Sequence, residues 1–168
     1  MKISEPRDLL VHELKDLYSA ETQLLKALPR LAKAATSKDL KKTLESHAKV
    51  TKKQADRLEK VMKQLDEPPR GKKCVAMEGL IEEGRELLEE DLEGPLLDLA
   101  LIGAAQKIEH YEIAGYGTAR TLAQLAGEEK IAAVLQQTLD EEGDTDKRLT
   151  DVAMSLSLAT VSAEAEEE

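Results

Sequence analysis

Three segments of this 168-residue chain carry carboxylates where an apolar helical repeat calls for leucine or alanine. In "QKIEHYEIAGYGTAR", residues 106–120, Glu112 falls on the repeat 101, 105, 108, 112, 115, 119, 122, and Glu109 lies beside it one turn earlier. Glu21 interrupts the run Leu10, Leu14, Leu17, Leu24, Leu28, Leu31, while Glu142 and Asp146 interrupt the run 135, 139, 142, 146, 149, 153. A fourth repeat, 40, 44, 47, 51, 54, 58, turns His47, Thr51 and Gln54 inward. Ionised carboxylates gathered in a dry interior are costly, and like charges a few ångströms apart add to the cost. Protonation relieves it, and so does a bound cation. Carboxylate oxygens with an imidazole suit iron, manganese or zinc, and two metals bridged by carboxylates would hold such a cluster together. The candidate ligands are therefore Glu21, His47, Glu109, Glu112, Glu142 and Asp146.

Each candidate also has a plainer reading. Glu21 alone would be a hydrogen-bonded structural acid, and His47 a satisfied core histidine. Gln54 reads as a hydrogen-bond partner rather than a ligand. Glu109 is either a ligand or a partner of Lys107 or Arg120, and Asp146 either a ligand or a partner of Arg57. His12 and His110 fall off the repeats and read as surface or interface residues. "GYG" at 115–117 is no phosphate loop, because no strand precedes it and the helical period runs through it; small residues there let helices approach closely. Tyr18 and Tyr116 sit near Glu21 and Glu112, where filling the core is the ordinary task and hydrogen-bonding a ligand the rarer one. One cysteine, Cys74, and three histidines without an orienting partner make no hydrolase.

The elements that must position these residues are helices. Phe and Trp are absent and only three Tyr are present, so strands lack their favoured residues, whereas Leu and Ala dominate. Helix signals cover about 6–35, opened by Ser4 and Pro6 and bent at Pro29; Ser37 caps a second helix reaching about 65; "DEPPRGKK" breaks it. A shorter amphipathic helix is expected over 75–91, a long one over 96–126 ending at Gly127, and a last one from Glu128 to about 158. Two hairpins of long helices joined by a long connection form an all-α, ferritin-like four-helix bundle whose crossover carries the short fifth helix. Residues 1–158 make that bundle, and 159–168 an acidic tail expected to be disordered.

Axial level tests whether the acids meet. Glu21 lies 15 residues before the turn at 36, and Glu112 lies 15 before the turn at 127, opposite residue 142. All three then sit about 22 Å from their turns, in one layer.

A net charge of −10 argues against nucleic acid and anionic membranes as partners. The absence of a long apolar run or a leader-like N-terminus gives a cytoplasmic protein as the expectation. Apolar Val75, Met77, Leu80, Ile81, Leu87 and Leu88 on the crossover lead us to expect a homodimer.

"HELKDLYSAETQLLKALPRLA", "CVAMEGLIEEG", "AAQKIEHYEIAGYGTAR" and "LQQTLDEEGDTDKRL" resemble the bacterial stress-associated YciF/YciE proteins (DUF892) of the ferritin-like superfamily, over about residues 5–158. The resemblance implies a ferritin-like bundle, a dimer, a dimetal centre of the di-iron or di-manganese type, and a link to stress response. By position it supports Glu21, Glu112 and Glu142, and more loosely Glu109 and Asp146. The chain departs from the family at "HAKVT", where Val50 replaces an expected bridging carboxylate. A single metal, an asymmetric pair and an empty site all remain open. Two functions follow. One is a metal-dependent oxidoreductase acting on peroxide, oxygen or iron; the other is a non-catalytic helical homodimer with a degenerate site.

Overall fold

The computed structural model describes residues 3–166, with side chains to Leu156. Five helices follow one another: α1 Pro6–Ala34, α2 Lys38–Gln64, α3 Val75–Glu86, α4 Gly94–Leu125 and α5 Glu129–Glu166. There is no strand among the described residues. α1 pairs with α2 and α4 with α5 as antiparallel hairpins, and α3 on the crossover packs on α1 and α4.

The helix ends follow from side-chain chemistry. Asp8 reaches back to accept from the backbone N–H of Ser4 (2.9 Å) and of Glu5 (3.2 Å), so Glu5 rather than Ser4 is the cap residue of α1. Ser37 caps α2 by accepting from Leu40 N–H. α4 ends in a Schellman turn: Gly127 adopts φ +76°, and Glu128 N–H bonds the Ala123 carbonyl at 2.8 Å. The same device closes α2, with Asp66 at φ +55° and Glu67 N–H bonding Met62 O at 3.0 Å. α1 runs through Pro29 without interruption.

Two boundaries differ from the sequence reading. α3 stops at Glu86 rather than about 91, because the chain turns through Leu87–Leu88–Glu89, and α4 begins two residues early at Gly94 with Pro95 in its first turn. The acidic tail expected at 159–168 falls on residues whose side chains lie outside the described set; the α5 backbone is helical to Glu166.

The apolar core comes in two parts. One gathers Leu10, Leu14, Leu17, Leu58, Met62, Ala119 and Leu135; the other gathers Leu24, Leu28, Leu40, Leu44, Met77, Leu101, Ile108 and Leu149. Between them lies a polar layer of buried Glu21, His47, Thr51, Gln54, Glu109, Glu112, Thr138 and Glu142. On the α1/α4 side this layer is sealed tightly, since a Cβ at Gly115 would stand 2.8 Å from Leu17 Cδ2.

Candidate metal centre

Each hairpin delivers its polar residues because an apolar period keeps one face of each helix inward. Four of the six candidates meet: His47 from α2, Glu109 and Glu112 from α4, and Glu142 from α5 each offer one ligand atom, and these atoms all lie within 4.8 Å of one another. His47 Nε2 stands 3.0 Å from Glu109 Oε1. Glu109 and Glu112 share a side because they are three residues apart on one helix, with Cβ vectors on the same face.

Glu21 is fully buried in the same layer but is engaged differently, its Oε1 accepting a hydrogen bond from the hydroxyl of buried Tyr116. Asp146 is not in the cluster. It is half-buried at the α4/α5 seam, accepting from Gln106 Nε2 at 3.0 Å and lying 3.4 Å from His110 Nε2. The reason is phase. Among the described side chains of α5 the buried ones are Ile131, Ala132, Leu135, Thr138, Glu142, Leu149 and Val152, so the inward stripe passes between Glu142 and Leu149 through position 145 and not 146.

The plainer pairings also resolve. Arg57 binds Glu141 with both arms (2.9 and 3.0 Å) and not Asp146. Lys107 pairs with Glu83, Arg120 with Gln136, and Gln54 donates to Glu141 at 3.1 Å. His110 is exposed, and His12 meets Lys72 of the crossover at 2.9 Å. Tyr18 donates to Glu59. Val50 is half-buried beside His47 rather than among the carboxylates.

The electrostatics follow from burial. It pushes the Glu21 carboxyl up to about 8 in spite of the Tyr116 hydrogen bond and the nearby His47. Glu112 is driven well above the carboxylate range by burial, then by the charges of Glu21, Glu142 and Glu109. Glu142 is driven up in the same way, by burial and by Glu21 and Glu109. Burial acts to lower the His47 pKa, but Glu109 outweighs it and the imidazole holds its proton more firmly than usual.

Whether a metal fits is decided by unpaired donors. Both oxygens of Glu112, both of Glu142, Glu109 Oε2 and Glu21 Oε2 are buried without a hydrogen-bond partner. Buried polar atoms are rarely left so. One imidazole and three or four carboxylates are a donor set for iron, manganese or zinc, and a divalent cation would satisfy these atoms together.

Two polar groups outside the centre were not foreseen. Asp98, 1% exposed, accepts from Thr36 N–H (2.7 Å), Thr36 Oγ1 (2.6 Å) and Ser37 N–H (2.8 Å), so α4 clamps the α1–α2 turn. Its signal was a lone acid inside "LLDLALIG". Asp16, Tyr111 and Cys74 form a second network: the Tyr111 hydroxyl donates to Asp16 and meets Cys74 Sγ at 2.9 Å, and Lys72 bonds Asp16 at 3.0 Å. Burial works to raise the Asp16 carboxyl, but hydrogen bonds from Cys74, Tyr111 and Lys72 hold it below its usual value.

Two antiparallel hairpins, one long crossover and a carboxylate–imidazole layer at mid-bundle define a ferritin-like helical protein. Residues 5–162 match the family described as "Domain of unknown function (DUF892)", and the chain belongs to it. It is 44% identical over 156 residues to Protein YciF of Escherichia coli strain K12, covering 92% of this chain and 94% of that one. The crystal structure of the E. coli stress protein YciF superposes with a TM-score of 0.89 at 44% identity, over 92% of this chain and 98% of that one. YcfI from Rhodopseudomonas palustris, to which a structural role is ascribed, matches with a TM-score of 0.85 at 42% identity, over 89% and 95%. A protein from Xanthomonas campestris shares the fold with a TM-score of 0.77 at 22% identity, over 96% and 99%.

Proposed function

We propose that this chain is a stress-associated metal protein whose centre, built by His47, Glu109, Glu112 and Glu142 with Glu21 beside them, holds iron or manganese, with zinc as a further candidate. The observation that carries this reading is the set of buried, unpartnered carboxylate oxygens facing one imidazole. Bound there, a redox-active ion would exchange electrons with peroxide, dioxygen or ferrous iron. The protein's own part is positional. Glu112 and Glu142 supply negative charge from two helices, Tyr116 fixes one oxygen of Glu21, and the two apolar clusters keep bulk water from the layer. Protein purified without chelator should contain roughly one equivalent of transition metal by plasma mass spectrometry; a metal-free product that also fails to take up iron, manganese or zinc would overturn the reading.

One observation favours a second reading. The family resemblance implies a bridging carboxylate where this chain has Val50, and YcfI is described as structural. On that reading the chain is a non-catalytic helical homodimer, and the cluster is a degenerate remnant that stays protonated.

A further inference from the structure

The carboxylates of the layer are sealed, so an ion must reach them through one of the seams between helices. The four long helices touch least along the seam between α2 and α5. There the surface opens into a groove of about 490 Å³ whose lining includes Ser46, His47, Val50, Glu141, Thr145 and Arg148. Liquid water takes roughly 30 Å³ per molecule, so the groove has room for a hydrated cation.

His47 stands at the boundary. Its Nε2 faces the cluster, 3.0 Å from Glu109, and its Nδ1 faces Thr145, 3.5 Å from Oγ1. The ring is therefore a partition with one nitrogen on each side. Thr145 is itself anchored, its hydroxyl donating to the Glu141 carbonyl at 3.0 Å. Val50, one turn after His47 on the same wall, is compact and uncharged; of the two acids that also line the groove, Glu141 is tied to Arg57 and Asp144 is paired with Lys147, so neither is a free anion that would hold a cation short of the layer.

We propose that the α2/α5 groove is the port by which a divalent metal ion enters the buried cluster, with the His47 ring as its moving partition and Thr145 as the residue that sets the ring's resting position. The proposal rests on the metal-binding reading above. Thr145 is a positioning residue, acting through His47.

The test is the rate at which chelator-stripped full-length protein takes up Co²⁺, followed by its visible absorption, together with the final occupancy. Val50→Phe and Ser46→Trp narrow the groove and should slow uptake about tenfold while leaving final occupancy unchanged. Ser46 is exposed, so that variant carries the test if Val50→Phe folds poorly. Thr145→Val should speed uptake, and Thr145→Ser should restore the original rate. Ala27→Phe, in a different groove beneath α3, should load at the normal rate. If both groove variants load normally, or if Ala27→Phe slows as much as they do, the port lies elsewhere and the proposal falls while the metal reading stands. If the unaltered protein takes up no Co²⁺, the metal reading falls and the port with it.

Discussion

An ionised Glu112 would place two unpartnered oxygens beside Glu142 and Glu21 in a layer without water access. Replacing it with Gln removes charge while keeping shape. Manganese or iron affinity should fall by at least about tenfold, and the metal-free protein should melt no lower than before, because the amide keeps the shape of a carboxyl whose ionisation burial already opposes. Glu86, exposed on α3, is the matched control, and Glu86→Gln should do neither. Melting curves with metal and with chelator read both effects; identical behaviour of the two variants would leave only the degenerate site. The same carboxyls make the metal-free protein sensitive to pH. Folded Glu21 holds its proton up to about 8, whereas its ordinary value is 4.5. A raised folded pKa contributes stability that is fully present below the unfolded value and is lost as pH rises through the folded one. Glu112, Glu142 and His47, all raised, act in the same direction. Urea midpoints of the chelated protein should therefore decline steadily between 4.5 and about 8, and metal should flatten the decline by holding the deprotonated carboxylates. A midpoint that rose across this window would contradict the burial of these groups.

At the scale of elements, the two hairpins are joined by specific devices as well as by apolar area. Asp98 ties the start of α4 to the α1–α2 turn through three hydrogen bonds, two of them from backbone N–H groups at the head of α2. Asp98→Ala should cost about 2 kcal/mol or more in urea denaturation, since it abandons charge-assisted bonds at a buried site. Asp98→Asn should recover part of the loss. Gly115 sets the approach of α1 to α4. Gly115→Ala gains up to about 1 kcal/mol of helix propensity, offset by the shift forced on Leu17, and should come out close to neutral. Gly115→Leu, with no room to expand, should cost about 1–3 kcal/mol, and a stabilised Gly115→Leu would mean the helices stand farther apart than described. These two positions also mark how far the sequence could be read. Helix number, pairing and crossover were legible, because long Leu repeats and the breakers "DEPPRGKK" and Gly127 leave few alternatives. Glu21, His47, Glu109, Glu112 and Glu142 were legible as inward residues for the same reason. Asp146 was misplaced because alternating steps of three and four fit α5 in two phases, and only packing against α4 selects one. Asp98, Asp16 and Tyr111 were missed because their partners lie 37 to 95 residues away, where no periodicity points.

Across the whole molecule, charge is unevenly spread. α2 is rich in lysine, and Lys33, Lys41, Lys49, Lys52 and Lys53 surround the outer α1/α2 groove, while α3 and the segment after it carry mostly glutamate. No helix among the described residues is long and apolar enough to cross a membrane. Exposed Val75, Leu96 and Leu125, at 72%, 61% and 68%, are apolar surface that a second copy would cover, and light scattering should return a homodimer; a monomer would count against it. The four residues of the candidate centre are dispersed along the chain. From His47 to Glu142 the sequence advances 142 − 47 = 95 residues. No short peptide can therefore gather the set, and an unfolded chain has no claim on the ion. Metal would reward only the finished assembly of both hairpins, the slow, long-range step of folding. Starved of metal, a cell would hold more of this chain in states that proteases can cut, so the amount of intact protein would itself report the supply of the ion.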